Sequence, residues 1–145
     1  MENQSRFASP ERSSREETSA SLALIKSQEF LGELFGAINS IGAILDKNRQ
    51  VVYANDQFLG VMGYETIESL LGKRPGEAIS CIHANGSPSG CGTSEACSVC
   101  GAVNAILESQ ITQAKVSKET RITSVSDGNL TNWDLKVTCS LNCLS

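Results

Sequence analysis

Gly42-Ala-Ile-Leu-Asp-Lys-Asn-Arg-Gln-Val-Val-Tyr-Ala-Asn-Asp-Gln-Phe-Leu59 carries the order of signals that decides the fold of this chain. Gly42 to Asp46 and Gln50 to Ala54 are short apolar, partly β-branched runs on either side of the turn-prone Lys47-Asn48-Arg49, a pattern that predicts a two-stranded hairpin. Asn55 stands where the second run ends and is a natural N-cap. Phe58, Leu59, Val61 and Met62 supply the apolar face of a short helix that stops at Gly63. A strand therefore feeds directly into a helix.

Upstream, Leu22, Ile25, Leu31, Leu34, Phe35 and Ile38 recur mostly at helical spacing with Lys26, Glu29 and Glu33 between them, which predicts one amphipathic helix over residues 19–38. Residues 1–18 are rich in Ser, Glu and Arg and offer too little apolar surface to offset the entropy of ordering, so they read as a loose polar tail. Downstream, Glu65 to Leu71 reads as a short helical piece closed by Gly72. Lys73-Arg74-Pro75-Gly76 breaks it, and Arg74 to Glu77 reads as a turn with its charges in solvent or as a wall near the cysteines. The segment from Ile79 to Cys91 is built of turn formers with little apolar material to hold it down. Val99, Val103, Ile106 and Leu107 then predict the main helix, beginning near Cys97 and running to about Ser109. Two strands follow, about 115–125 and 132–141, around the turn Asp127-Gly128-Asn129. In the second, Trp133, Leu135, Val137, Cys139 and Leu141 alternate with polar residues and should face a core.

With 145 residues the chain has room for one domain of ordinary size. A net charge of −4 and the lack of a basic stripe argue against direct binding to nucleic acid or to an anionic membrane. No signal peptide and no membrane-length apolar run is visible, so a cytoplasmic location is expected, where thiols stay reduced. Against that background the cysteines stand out. Four of the six, Cys81, Cys91, Cys97 and Cys100, fall within twenty residues, three of them in Gly90-Cys-Gly-Thr-Ser-Glu-Ala-Cys-Ser-Val-Cys-Gly101. Four thiolates near one point suit zinc or an iron–sulfur cluster. Only the last pair has the short interval common in such motifs. Cys97 and Cys100 on one helical turn would share a side, and glycines would let backbone N–H groups approach sulfur. His83 could replace one thiolate or donate to a sulfur, although a lone histidine is more often an ordinary loop residue. The contrary reading is four buried or reversibly oxidised thiols. Cys139 reads as core and Cys143 has no assigned role. No nucleophile elbow, phosphate loop or kinase signature is present, and no enzymatic activity is expected of the chain.

The order helix, hairpin, several short helices, longer helix and antiparallel strands resembles a PAS sensor domain. So does the wording Leu34-Phe-Gly-Ala-Ile-Asn-Ser-Ile-Gly42 leading into the hairpin, with Gly63-Tyr64 and Leu71-Gly72 in the next turns. Arg74-Pro-Gly-Glu-Ala78, Cys81-Ile-His-Ala84, Gly90 to Glu95 and Cys97 to Ile106 are similar to a cysteine-bearing PAS subgroup of bacterial sensor histidine kinases and related signalling proteins.

That resemblance, spanning about residues 30–141, implies an α+β fold. Its features are an antiparallel sheet of four to five strands, short helices on one face and an N-terminal amphipathic helix. The PAS domain would occupy 39–145; the family's closing fifth strand is not seen in the sequence, so that either an open edge awaits a partner or the chain is a curtailed product. It also implies a sensor of redox state or a diatomic gas, with Cys81, Cys91, Cys97 and Cys100 ligating an iron–sulfur cluster or, alternatively, zinc. The signal would pass to a histidine kinase or other signalling partner, and the chain would dimerise through its N-terminal helix. The rival expectations are an interaction module with structural zinc or buried thiols, and a small-molecule-binding PAS domain.

Overall fold

The computed structural model describes residues 5–140, which form an α+β protein with seven α-helices and two antiparallel two-stranded sheets among the described residues. The chain divides into two compact units, one formed by Glu11–Ala78 and the other by the residues up to Pro10 together with those from Ile79 on. Among the described residues no helix is long and apolar enough to cross a membrane.

In the Glu11–Ala78 unit, α1 spans Arg15–Lys26 and opens on a reciprocal capping box between Ser14 and Glu17. The hydrogen bonds from the Ser14 backbone and side chain hold the Glu17 carboxyl below its ordinary range. Part of the stretch expected to be a loose tail is thus helical. Its approach is also held, by Ser13 Oγ donating to Asp46 Oδ2 at 2.7 Å and by a two-pronged Arg12–Glu77 ion pair. The single helix expected over 19–38 is two helices, α1 and α2 (Glu29–Gly36). Ser27 Oγ bonds back to the Leu24 carbonyl at 2.6 Å and Gln28 leaves helical geometry at ψ 80°, which ends α1 at Lys26.

The hairpin forms as the pattern predicts, with β1 at Ala43–Leu45 and β2 at Val51–Ala54. Asp46 organises its turn by accepting from the backbone N–H of Asn48 and Gln50. Helix α3, Asp56–Met62, starts at the expected Asn55 cap and ends at Gly63. Strand β2 is buried on both sides, though not by strict alternation. Val51 and Ala54 join Phe58, Leu70 and Ala78, whereas Val52 and, partly, Tyr53 join Leu22, Ile25 and Leu71.

Helix α4 is Ile67–Leu70, and Pro75 opens a further helical turn, α5 (Pro75–Ala78), where the sequence suggested only a break. Arg74 corrects the expectation more sharply. Its side chain is fully buried rather than solvated, with Nε–H donating to the Asn48 carbonyl at 2.9 Å and Nη2 donating to the Glu11 carbonyl. Arginine's fixed fork of donors can close two chain segments at once, which lets a cation sit inside a small unit.

In the other unit, α6 (Ile82–Asn85) leads into the cysteine loop, and α7 (Gly101–Thr112) lies against β3 (Val116–Ser126). Strand β4 (Asn129–Cys139) pairs with β3 through eleven aligned residues around the tight turn Asp127-Gly128, both with positive φ. It starts three residues earlier than expected, and Leu141 and Cys143 lie outside the described residues. Ala102, Val103, Ala105, Ile106 and Ser109 form the buried face of α7, and Ile122 and Ser124 that of β3. No residue of β4 is buried, so Trp133, Leu135, Val137 and Cys139 are half-covered rather than core. Among the described residues the strands pair as β1 with β2 and β3 with β4.

Candidate functional site

The cysteine loop is pinned by hydrogen bonds. Val125 N–H donates to the Ser80 carbonyl at 3.0 Å, and Cys81 makes an isolated antiparallel bridge to Ser124 of β3. Further on, buried Thr93 ties the loop to itself, its Oγ1 donating to the Gly90 carbonyl at 2.7 Å and lying 2.6 Å from Ser87 Oγ. Gly90 and Gly92 flank Cys91 at φ 86° and 87°, a left-handed backbone that a side chain would strain.

Against this loop lies the N-terminal segment. Arg6 N–H donates to the Thr93 carbonyl and Ala8 N–H to the Gly92 carbonyl, both at 2.9 Å, and Ala8 is buried. Polar composition gave no hint of this strap, because its hold is through backbone groups. The strap and α7 enclose an apolar cluster in which Cys91, Cys97 and Cys100 meet Ala8, Val103 and Leu107.

Cys97 and Cys100 do not share the turn of one continuous helix. Glu95–Val99 is a 3-10 turn capped by Ser94, and the chain becomes extended at Cys100, the N-cap of α7. The break exposes Val99, expected on the apolar face of the main helix, to 86 %. Asn104 fastens the junction, its Nδ2–H donating to the carbonyls of Ser98 at 3.0 Å and Cys100 at 2.9 Å. Gly101 answers a different need from the one the sequence suggested. A Cβ there would collide with the Glu119 carbonyl and the Thr120 side chain, so its absence lets α7 start directly on β3. That approach sets Cys100 Sγ 3.8 Å from Thr120 Oγ1.

Of the four proposed ligands, the structure therefore brings three into one cluster and holds the fourth apart. Cys81 is bridged at Ser124, four residues or about 13 Å along β3 from Thr120. His83 is exposed on α6. Among the described residues no group of three or more His, Cys, Asp or Glu converges closely enough to hold a metal ion, and no disulfide is formed. Burial pushes the Cys139 thiol up from its ordinary value.

Compared with known protein families, characterised proteins and solved structures, the chain matches none.

Proposed function

We propose that this chain is a cytoplasmic PAS-type sensing domain that detects redox state or a diatomic gas through its cysteines and relays the change to a signalling protein such as a histidine kinase. On this reading the fold is the PAS one, with an antiparallel sheet of four to five strands. The observation that carries the function is the shared cluster of Cys91, Cys97 and Cys100 beneath the strap that includes Ala8. An iron–sulfur cluster, or else zinc, is the group these thiols would hold together with Cys81. Bound there, it would supply sensitivity to oxygen or redox poise in the first case and rigidity in the second.

The chain's own residues supply the relay. Oxidation of any clustered thiol adds polar volume where Ala8, Val103 and Leu107 leave little, so the strap must loosen. From Ala8 the chain runs on to Ser14, the N-cap of α1, and through that covalent link a loosened strap would act on the N-terminal helices. Phe30 at 75 % and Leu34 at 55 % exposure on α2 support dimerisation through this region.

A second reading is favoured by the separation of Cys81 and the near-complete burial of Cys97, 5 % exposed: an interaction module with inert packed thiols. Metal, sulfide and visible absorption should be measured on anaerobically purified protein. Brown protein that bleaches in air, and is colourless as Cys91→Ser or Cys100→Ser, is the expected result. Metal-free protein whose oligomeric state ignores mild oxidants would overturn the sensor reading, and stoichiometric zinc without colour would favour the module.

A further inference from the structure

The hairpin β3–β4 is the longest regular element of its unit, and one of its edges is self-complementary. Val125 N–H donates to Ser80, away from β4, so the alternation of an antiparallel ladder turns the backbone groups of Ser117, Glu119, Arg121 and Thr123 the same way. Their opposite residues on β4 are Thr138, Lys136, Asp134 and Asn132, and Val125 faces Leu130. The N–H and C=O groups of these five therefore point outward from the far edge of β4. That edge has no strand partner among the described residues. The face of β4 that bears Trp133, Leu135 and Val137 is only half-covered.

We propose that β4 pairs antiparallel with β4 of a second copy about a two-fold axis at Leu135, making a continuous four-stranded sheet and a homodimer. Charge selects the register. Outward groups must meet outward groups, so the axis has to pass through a residue rather than between two. Centred on Asp134 or on Lys136, it would set a like charge against itself; centred on Trp133 or Val137, it would leave both charges opposite neutral residues. Centred on Leu135, it sets Asp134 opposite Lys136 of the second copy in both halves. Arg121 already forks onto Asp134, Nε to Oδ1 at 2.7 Å and Nη2 to Oδ2 at 3.1 Å, and Glu119 lies opposite Lys136 within the hairpin. Each outer row across the dimer then reads Arg121, Asp134, Lys136, Glu119, alternating in sign. On the other face Trp133 meets Val137, and Leu135 meets its own copy, extending the apolar strip that β4 leaves half-open. The same charges could instead guard a solitary edge, and experiment separates the two.

This seam is independent of the thiols and of α2. The full chain should sediment as a dimer at about 100 µM. Lys136→Glu places like charges in both rows and should weaken the dimer about tenfold. Lys136→Pro removes an outward N–H without touching the β3 ladder and should give a monomer with an unchanged circular dichroism spectrum. If the proline variant fails to fold, cross-linking decides. Residues facing each other across the axis lie about 4.5 Å apart at Cα, within disulfide reach, so diamide should join Leu135→Cys chains far faster than Trp133→Cys chains or the parent. A monomeric parent, equal cross-linking of the two variants, or a dimer dispersed only by Phe30→Glu or Leu34→Glu would overturn the proposal.

Discussion

Replacing Gly101 by alanine tests the contact that places the cysteine loop. In an ordinary helix the change is favourable by up to about 1 kcal/mol, because glycine loses more backbone freedom on folding. Here the new methyl would run into the Glu119 carbonyl, with Thr120 Cβ at 2.9 Å and the Glu119 carbonyl carbon at 3.0 Å. Those atoms belong to a strand held by an eleven-residue ladder to β4 and cannot turn aside as a flexible side chain would. Overpacking costs about 1–3 kcal/mol, and against strand backbone the upper part of that range, about 2–3 kcal/mol, applies, which leaves a net loss of about 1–2 kcal/mol after the helix gain. The single tryptophan, Trp133, lies on β4 in the same unit and reports the transition by fluorescence. With a urea slope of about 2 kcal/mol/M, the midpoint should fall by roughly 0.5–1 M. Cys97, now 5 % exposed, should react faster with a thiol reagent as α7 lifts. A midpoint that is unchanged or raised would show that α7 does not start against β3, and the placement of Cys100 beside Thr120 would go with it.

Arg74→Met keeps the length of the buried side chain but strips the donors from the Asn48 and Glu11 carbonyls, at about 1–3 kcal/mol each. Chemical unfolding followed by far-ultraviolet circular dichroism should show a loss of that order, and a loss under 1 kcal/mol would refute the buried clamp. For Cys139, burial raises the folded-state pKa above the unfolded one, so its contribution to stability is fully present below the unfolded value, about 8.5, and disappears as pH rises through the folded value. Stability measured upward from pH 8 should therefore fall more steeply for the parent than for Cys139→Ala. Parallel curves would count against a desolvated thiol.

Local patterns were readable in the sequence wherever one short stretch contains its own physical cause. Asn55 could be identified as a cap because its side-chain oxygen reaches Phe58 N–H three residues on, at 2.9 Å. The hairpin and the β3–β4 turn follow from turn residues between apolar runs. Where an outcome depended on distant partners, the reading ran out. Arg74 looked solvated because the Glu11 carbonyl that takes its Nη2 lies far along the chain. The strap over the cysteines is held by backbone groups, which carry no residue code.

By itself the sequence determined the α+β class, the hairpin and its capped helix, and the concentration of thiols in one loop, because propensity, capping and turn chemistry act over a few residues. Only the tertiary structure decided that Cys91, Cys97 and Cys100 share a cluster while Cys81 is held on β3. Sequence spacing limits how far apart two sulfurs can lie. Which of them meet is set by the break at Cys100, the close seat of Gly101 on β3 and the bridge to Ser124, contacts between segments that no local pattern encodes.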